Sequence, residues 1–488
     1  ELIKLAAEIL GASDGEKVKE SLVQLVTQKK VVVRELDGRK LYYLPANYGS
    51  EALSAKYIQR LIINQRSIPR ERIINVLDKA IGSQGLKLSD IQQYAVEASL
   101  TNGFVIITGG PGTGKTTTLK AVVMAHKAMG HRVLLASPTG RAAKRLSEVS
   151  GFSASTIHRL LEYDHQTHGF KHNSSNPLNC DVLVIDEASM VDMELFYSVI
   201  QAVPPKASLI LVGDVDQLPS VGAGLVLNEL IKSGKVLTVT LDTIFRQAET
   251  SDIIKNAHLI NKGQIPNLAV PDGKTKTDCY FIQAEQVEKI ISLLKNVVSK
   301  SLPQKFGYNA INDIQVLTPM NRGPLGAIAL NSVIQEVLNP PSTDKPQIEH
   351  GSRILRVGDK VIQLRNNYDL DVFNGDIGSI IAVNTEDQEI TVSFPQGEVI
   401  LQSSDFVDIA HAYAITIHKS QGSEYPAVVM LCHTQHYMML QRNLIYTGLT
   451  RAKKTMVFLG SARAIGIAVN NNKLKTRNTI LSRLINEE

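Results

Sequence analysis

The sequence contains no tryptophan, and aromatic residues make up only 5% of its 488 positions. Binding that depends on stacking a ligand against many rings is therefore a minor term. The three cysteines, Cys180, Cys279 and Cys432, lie far apart. Their spacing fits neither a disulfide framework nor a zinc knuckle, so we expect reduced thiols and a cytoplasmic protein.

Long apolar runs and a strong excess of one charge are also missing. No apolar stretch reaches membrane-spanning length and no signal peptide is visible, so we expect no membrane partner. The net charge of +5, from 52 basic and 47 acidic residues, permits a nucleic-acid partner only through a local basic surface. The chain begins at Glu1 inside an apparent helix, and we expect it to be a fragment with an upstream domain missing.

One glycine-rich stretch has the residue types of a phosphate-binding loop. An apolar segment at 104–107 precedes it, and a helix is expected from Thr117 onward. Glycines allow several backbone N–H groups to point into one cavity, the lysine reaches the β- and γ-phosphates, and Thr116 can ligate Mg²⁺. The stretch reads Gly109-Gly110-Pro111-Gly112-Thr113-Gly114-Lys115-Thr116.

Polar residues follow two further apolar segments that read as strands buried on both faces of a parallel sheet. Asp186 and Glu187 come directly after residues 182–185. Because ligands bind at the carboxyl ends of such strands, we expect Asp186 to hold Mg²⁺ through water and Glu187 to orient or deprotonate the attacking water. Gln217, beyond the segment 209–214, is placed to sense a γ-phosphate, and Gly222 and Gly224 would let its loop move.

Other stretches carry chemistry only in this context. Gln92 could hydrogen-bond an adenine edge, but alone it reads as a capped helix start. The basic helix start around Arg141 could hold a backbone phosphate, or be a solvated face. Arg246 could reach a phosphate across a cleft, and Arg451 is the best arginine-finger candidate, although alone it would be part of a surface helix start.

The order of these segments predicts an α/β chain in several units, for which the length suggests roughly three domains. Two helices and a hairpin at Asp37-Gly38 resemble a winged helix, which we interpret as a packing module rather than a duplex reader. Helical segments are expected over about 51–84, and a protruding hairpin or irregular loop over 162–179. Short strands with Asn-Gly turns between about 340 and 405 predict a small β-barrel inserted into a second α/β unit.

Taken together, the motifs resemble the series found in superfamily-1 helicases, and more narrowly in RecD-like DNA helicases, including TraA-type relaxase helicases. The resemblance covers about residues 86–465 in the family's order, and residues 1–85 resemble the region before the motor in free-standing RecD-like proteins. The motifs that carry it, besides the phosphate loop, are Ser137-Pro138-Thr139-Gly140-Arg141, Thr156-Ile157-His158-Arg159, Ile185-Asp186-Glu187, Gly213-Asp214-Val215-Asp216-Gln217, Phe245-Arg246-Gln247, Thr318-Pro319-Met320, Asn374-Gly375-Asp376, Ile417-His418-Lys419-Ser420-Gln421-Gly422-Ser423-Glu424 and Tyr446-Thr447-Gly448-Leu449-Thr450-Arg451.

The resemblance implies two RecA-like P-loop domains, at 86–240 and at 241–339 with 406–488, with ATP and Mg²⁺ at their interface. It also implies an SH3-like barrel at 340–405 and a strand-separating pin at 162–179, after an N-terminal module at 1–85. Gln92 would then read adenine, and Lys115, Asp186, Glu187, Gln217, Arg246 and Arg451 would perform hydrolysis. Nucleotide contacts would come from residues 109–117 (Gly109, Gly110, Pro111, Gly112, Thr113, Gly114, Lys115, Thr116 and Thr117) and Glu424, and metal contacts from Thr116 and Asp186.

The same resemblance implies an ATP-dependent 5′ to 3′ helicase acting on single-stranded DNA and single-strand/duplex junctions, as a monomer, in repair or recombination. Three alternatives stay open at this point: a P-loop ATPase that remodels a protein partner, a DNA-binding module with a decayed ATPase, and, on weaker grounds, a nuclease. DNA contacts would come from Thr139, Arg141, His158, Val221, Pro319, Asn321, Asn374, Thr416 and His418.

Overall fold

A computed structural model describes most of the chain. The described residues are 2–11, 14–36, 38–82, 85–164, 166, 169–243, 250–272, 275–367, 369–472 and 477–487. Asp37 of the predicted hairpin turn and Arg246 of the predicted site lie outside them. Within the described part, none of the helices combines the length and apolar character that crossing a membrane requires.

The first α/β unit, here called the first lobe, is built on a sheet of six parallel strands. Its three central strands are buried at every position, which explains their uninterrupted apolar sequence. In spatial order the strands are Leu237–Leu241, Phe104–Gly109, Ser208–Gly213, Val182–Ile185, Val133–Ser137 and Ser155–Thr156.

Helices cover both faces of this sheet, as parallel sheets require. The phosphate-loop helix is longer than the expected segment and starts at Lys115. The lobe's helices are Asp90–Thr101, Lys115–Ala128, Gly140–Ser150, Ile157–Leu160, Met193–Ala202 and Val226–Ser233, with the short turn Ala188–Met190.

The second lobe contains a sheet of five strands, all parallel. Its strands are, in spatial order, Cys279–Gln283, Ala452–Gly460, Tyr425–Cys432, Ile314–Thr318 and Ala414–Thr416. Its helices are Asp252–Asn261, Val287–Asn296, Val297–Ser301, Leu302–Phe306, Ala327–Leu338, Arg442–Leu449 and Ala462–Asn470, with the short turns Ile417–Ser420 and Thr434–Met439.

The region between the helix Ala327–Leu338 and the strand Ala414–Thr416 is a small β unit, called the barrel below. Five antiparallel strands form its main sheet, and a separate hairpin packs beside it. The strands of the sheet are, in spatial order, Gly397–Gln402, Glu389–Phe394, Ile377–Asn384, Lys360–Gln363 and Ile409–His411. The turn Ser403–Asp408 links the first and last strands of this order. The strands of the hairpin are Gln347–His350 and Arg353–Arg356.

A buried carboxylate fixes the barrel to the second lobe. Asp359 accepts hydrogen bonds from Gln335 and Asn339 of the second lobe, both at 2.7 Å, and from the Tyr413 hydroxyl at 2.9 Å. The Arg356 backbone N–H donates at 2.9 Å, and Nε2 of His411 lies 3.2 Å away. We call this cluster the Asp359 junction.

The N-terminal region consists of helices Leu2–Leu10 and Gly15–Thr27, then the hairpin of Val32–Leu36 with Arg39–Tyr43. The helical segment expected over 51–84 starts earlier and is interrupted: it comprises Pro45–Ile62, Arg70–Val76 and the turn Leu77–Ile81. Pro69 is the residue before the second helix. A proline disfavours helical backbone in the residue before it, which helps to explain the interruption.

The segment 162–179 forms only a short hairpin, in which Tyr163–Asp164 pairs with Gly169–Phe170. The Phe170 ring contacts the ring of Tyr163, with centroids 5.2 Å apart. This hairpin leads away from the helix Ile157–Leu160 at the edge of the first sheet.

Candidate functional site

The phosphate loop bends between a buried strand and a helix. Gly112 and Gly114 adopt positive φ angles of 75° and 80°, which a side chain would strain. Lys115 Nζ contacts the carbonyl oxygen of Gly109 and lies 2.9 Å from that of Gly110. The lysine charge is thus directed into the concave side of the loop, where phosphate oxygens would compete for it.

Carboxylates emerge at the carboxyl ends of the two neighbouring strands. Burial, and next the charge of Glu187, raises the pKa of Asp186 to about 7. Glu187 has a positive φ of 55°, an unusual backbone conformation for a residue with a side chain. Asp214, after the adjacent strand, is 1% exposed and lies 3.9 Å from Lys115 Nζ.

Hydrogen bonds connect the two lobes directly beside the phosphate loop. Arg451 of the second lobe donates from Nη2 to Gln217 Oε1 at 3.0 Å, and Gln217 Nε2 donates to Asp214 Oδ2 at 3.2 Å. The Tyr446 hydroxyl donates to the same Asp214 oxygen at 2.8 Å. A chain of polar contacts therefore runs from Lys115 through Asp214 and Gln217 to a guanidinium on the opposite lobe.

A cavity of about 720 Å³ lies between the lobes, and its lining includes Lys115, Asp214, Gln217 and Arg451. At another part of its wall, Glu424 of the second lobe contacts Arg145 of the first and lies 3.4 Å from Lys453 Nζ. Its remaining polar lining includes Lys87, Thr116, Thr117, Asp186, Glu187 and Thr450. The basic side chains in this lining, among them Lys87, Lys115 and Arg451, could bind a polyanion.

The donor set at one end of the cavity suits a magnesium ion. Thr116 is exposed, and it lines the cavity together with Asp186. Both are hard oxygen donors, which Mg²⁺ prefers, and a cation would stabilise the ionised form of a carboxylate with a raised pKa.

Gln92 lies behind the phosphate loop rather than in the cavity. Its Oε1 accepts from the Ser89 backbone N–H at 3.0 Å, forming the capped helix start weighed above. Its Nε2 lies 3.4 Å from the carbonyl oxygens of Thr113 and Gly114, and the residue is 1% exposed. Contact with adenine stays a prediction, and it would require these groups to rearrange.

Three of the four first-lobe residues predicted to contact DNA, Thr139, Arg141 and His158, follow the two strands at one edge of its sheet, where Ser137 pairs with Thr156. Thr139 and Thr156 each cap a helix. Arg141 instead crosses to the second lobe, donating to the Tyr425 hydroxyl at 2.8 Å with its guanidinium over that ring.

His158 packs beside the hairpin, with its ring centroid 5.6 Å from that of Phe170. Burial lowers its pKa. Val221, by contrast, is 88% exposed. An exposed apolar side chain and a half-buried imidazole are each compatible with contact to a base, and both assignments stay predictions.

The second-lobe residues occupy a corresponding edge, where Thr318 pairs with Thr416. Thr416 caps the short helix that contains His418, and burial lowers the pKa of His418. Pro319 is buried, whereas Asn321 and Asn374 are exposed.

The two edges meet at a close contact between the lobes. A Cβ atom on Gly422 would lie 3.2 Å from Thr139 Oγ1. The barrel reaches the same helix start, since a Cβ on Gly140 would lie 2.9 Å from that of Phe373. The segment that follows Thr416 and the loop that contains Asn374 therefore both approach the helix start at Thr139.

The sequence-based prediction assigns no role to several residues that line the cavity or join the lobes beside it. Asp214 and Tyr446 were quoted within motifs without a role, and yet they join the lobes. Arg145, Lys453 and Lys87 were not singled out. The position of Asp214 at a strand's carboxyl end was a usable indication, but its tyrosine partner lies too far along the chain to be paired by spacing.

Sequence profiles of three families match the chain. Residues 92–223 match the AAA domain, residues 330–394 match the ATP-dependent RecD-like DNA helicase SH3 domain, and residues 411–459 match the UvrD-like helicase C-terminal domain. The second match falls on the barrel and its preceding helix.

Curated relatives extend the similarity to most of the chain. It is 37% identical over 449 residues to the ATP-dependent RecD2 DNA helicase of Deinococcus radiodurans, covering 91% of this chain but only 58% of that protein. It is 31% identical over 418 residues to the RecBCD enzyme subunit RecD of Mycolicibacterium smegmatis, covering 79% of this chain and 73% of the relative.

Proposed function

Because the chain belongs to the RecD family of superfamily-1 DNA helicases, we propose that it is an ATP-driven motor that moves along single-stranded DNA. The observation that carries this proposal is the contact of Arg451 with Gln217, across the cleft from Lys115. A triphosphate in this cavity would touch groups from both lobes, so its binding and loss would alter how the lobes are held together.

The chain's own residues have separable tasks in hydrolysis. Lys115 would exchange the loop carbonyls for phosphate oxygens, and Glu187 would orient and deprotonate the attacking water. Gln217 and Arg451 would hold the terminal phosphate, whose developing charge the guanidinium stabilises. Thr116 and Asp186 would hold Mg²⁺, which neutralises phosphate charge when bound. Arg246, outside the described residues, stays a proposed second guanidinium.

DNA would cross the inter-lobe surface around Thr139, Thr416 and Asn374. Gly422 lies on that surface, and the same second-lobe segment continues to Glu424 at the cavity. A change in lobe contact at the cavity therefore has a short route to the DNA grip. We propose 5′ to 3′ movement, action at single-strand/duplex junctions as a monomer, and a role in repair or recombination, on the strength of the family alone.

The test is ATP hydrolysis measured with and without single-stranded DNA, followed by strand displacement on 5′-tailed and 3′-tailed duplexes. We expect DNA to stimulate hydrolysis and only the 5′-tailed duplex to be unwound. If single-stranded DNA did not change the rate of ATP hydrolysis, the result would favour an ATPase that acts on a protein partner. Unwinding of the 3′-tailed duplex alone would overturn the polarity.

A further inference from the structure

The C-terminal tail returns from the second lobe to the first. After the second-lobe helix Ala462–Asn470, the helix Leu481–Asn486 buries Leu481 and Ile485 in the first lobe's core. The Ile480 backbone N–H donates to Glu51 at 3.0 Å, and that of Ser482 donates to Glu229 at 3.2 Å. The tail is therefore anchored both to the first lobe and to the N-terminal helix Pro45–Ile62.

Arg477 at the start of this anchored tail binds one loop through several atoms. Its Nη1 lies 2.7 Å from the Gly224 carbonyl oxygen and 3.1 Å from Ser220 Oγ, and it also contacts the Gly222 carbonyl. Its Nη2 donates to the Ser220 carbonyl at 2.5 Å. One planar guanidinium thus spans three carbonyl groups of residues 220–224, which a single ammonium could not reproduce.

The opposite side of this loop rests on the helix Met193–Ala202. The Met193 N–H donates to the Ala223 carbonyl at 2.9 Å. Neither glycine has room for a side chain: a Cβ on Gly222 would lie 2.1 Å from Asp192 Oδ2, and one on Gly224 would lie 2.9 Å from Met193 Cβ. The loop is held between this helix and Arg477, and Val221 at its tip is 88% exposed.

The same segment begins inside the ATP cavity. Gln217 contacts Arg451, and the next residue, Leu218, accepts from Gln421 Nε2 at 2.9 Å and donates its N–H to Thr447 Oγ1 at 2.9 Å. Residues 217–224 therefore run from a contact that senses the second lobe to a loop fixed by Arg477.

We propose that Arg477 is a positioning residue that holds Val221 at the DNA-binding surface and so converts movement of Gln217 into a change of grip on the strand. This inference rests on the proposed function. Without the guanidinium, residues 220–224 would keep their contact with Met193 but lose their hydrogen bonds on the other side. A displacement of Gln217 would then deform this loop instead of moving Val221.

The experiment compares Arg477→Ala, Arg477→Lys and the control Arg483→Ala, an exposed arginine of the same tail that pairs only locally with Glu487. ATP hydrolysis is titrated with single-stranded DNA. We expect Arg477→Ala to raise the DNA concentration for half-maximal stimulation about tenfold, equivalent to about 1.4 kcal/mol, and the DNA-free rate to change far less. Arg483→Ala should match the unmodified protein.

Arg477→Lys keeps the charge and tests the geometry, and it also serves if the alanine variant does not fold. We expect it to lose most of the coupling, and full rescue by lysine would overturn the inference. So would an Arg477→Ala variant with normal DNA dependence, or one that loses DNA-free and DNA-stimulated hydrolysis equally. Val221→Gly should act in the same direction, and the double variant should be little worse than either single variant.

Hydrogen exchange of the loop amides separates this inference from the proposed function, because it needs neither DNA nor ATP. Exchange in a peptide covering residues 218–226 should be faster in Arg477→Ala and unchanged in Arg483→Ala. Unchanged exchange in Arg477→Ala would overturn the inference even if the helicase is confirmed. Absence of DNA stimulation in the unmodified protein would instead reject the proposed function.

Discussion

Two four-residue segments, Thr-Ile-His-Arg at 156–159 and Thr-Ile-His-Lys at 416–419, occupy equivalent places in the two lobes. Each follows the edge strand of a parallel sheet, each threonine caps a short helix, and each isoleucine is fully buried. Each histidine has its pKa lowered by burial. The local structure is therefore set by the segment itself.

What differs is the surroundings. In the first lobe, His158 packs on the hairpin ring of Phe170, and Arg159 lies 3.2 Å from Asp371 of the barrel. In the second lobe, the chain continues to Gln421, which donates to Leu218 near the inter-lobe cavity. The same motif is thus connected to the hairpin in one lobe and to the inter-lobe cavity in the other.

The largest expected effect comes from removing the nucleotide chemistry while leaving both segments intact. Lys115→Ala should lower ATP hydrolysis about 100-fold or more, because a charged group aimed at developing phosphate charge is lost. DNA binding, measured by fluorescence anisotropy, should stay nearly unchanged. The control is Lys120→Ala on the same helix. Normal turnover in Lys115→Ala would invalidate the site.

The next effect divides the two histidines. His418→Ala should reduce DNA-stimulated hydrolysis several-fold more than DNA-free hydrolysis, because its segment leads to the cavity. His158→Ala should reduce strand displacement more than hydrolysis, since its ring supports the hairpin. Both rates are measured on the same forked substrate. Identical profiles for the two variants would remove the distinction drawn between the lobes.

A smaller effect tests the shared local structure. The Arg159 N–H donates to Thr156 Oγ1 at 3.1 Å, and the Lys419 N–H donates to Thr416 Oγ1 at 3.4 Å. Thr156→Ala and Thr416→Ala should each cost about 1 kcal/mol, the usual loss for a helix cap. Thermal unfolding measures this, with exposed Thr27→Ala as control. A loss at one site alone would show that the segments are not equivalent.

A further effect, which depends on pH, concerns a third histidine, His126. Burial, and next the proximity of His131, lowers the pKa of His126 to about 3. Because the pKa is lower in the folded state, unfolding takes up a proton below about pH 6.5. The contribution of neutral His126 to the free energy of unfolding is therefore complete above that pH. It declines as the pH falls toward 3, by up to about 1.4 kcal/mol per pH unit. In His126→Leu, the midpoint of thermal unfolding should change less between pH 6.5 and 5 than in the unmodified protein. If the midpoint of His126→Leu depended on pH as steeply as that of the unmodified protein, other titratable groups would be responsible for the dependence.

The central strands and the phosphate loop could be predicted because their information is local. Strands such as Val182–Ile185 are buried on both faces and so read as unbroken apolar runs. The helical segment expected over about 51–84 is interrupted for seven residues, at 63–69. Pro69 is a local signal for this interruption, and the prediction of a continuous helical segment did not use it.

Contacts between the lobes could not be predicted, because they join residues far apart in the chain. Gln217 and Arg451 are separated by 234 positions, and Arg141 and Tyr425 by 284. The resemblance to a family supplied the expectation for the first pair. For Arg141 it suggested a DNA contact, whereas the structure shows a tyrosine partner. Arg477 belongs to no motif, and only the fold brings it to residues 220–224.

The Asp359 junction has a practical consequence for dissecting this protein. Donors from both sides of the insertion, Gln335 and Asn339 before it and Tyr413 after it, converge on a carboxylate inside it. If the β unit were removed and the gap closed with a short linker, the two amides and the hydroxyl would lose their hydrogen-bond acceptor while still buried. A chain shortened in this way would be destabilised where the excised part was joined to the second lobe, so any loss of activity in it would not by itself reveal what the excised part contributes.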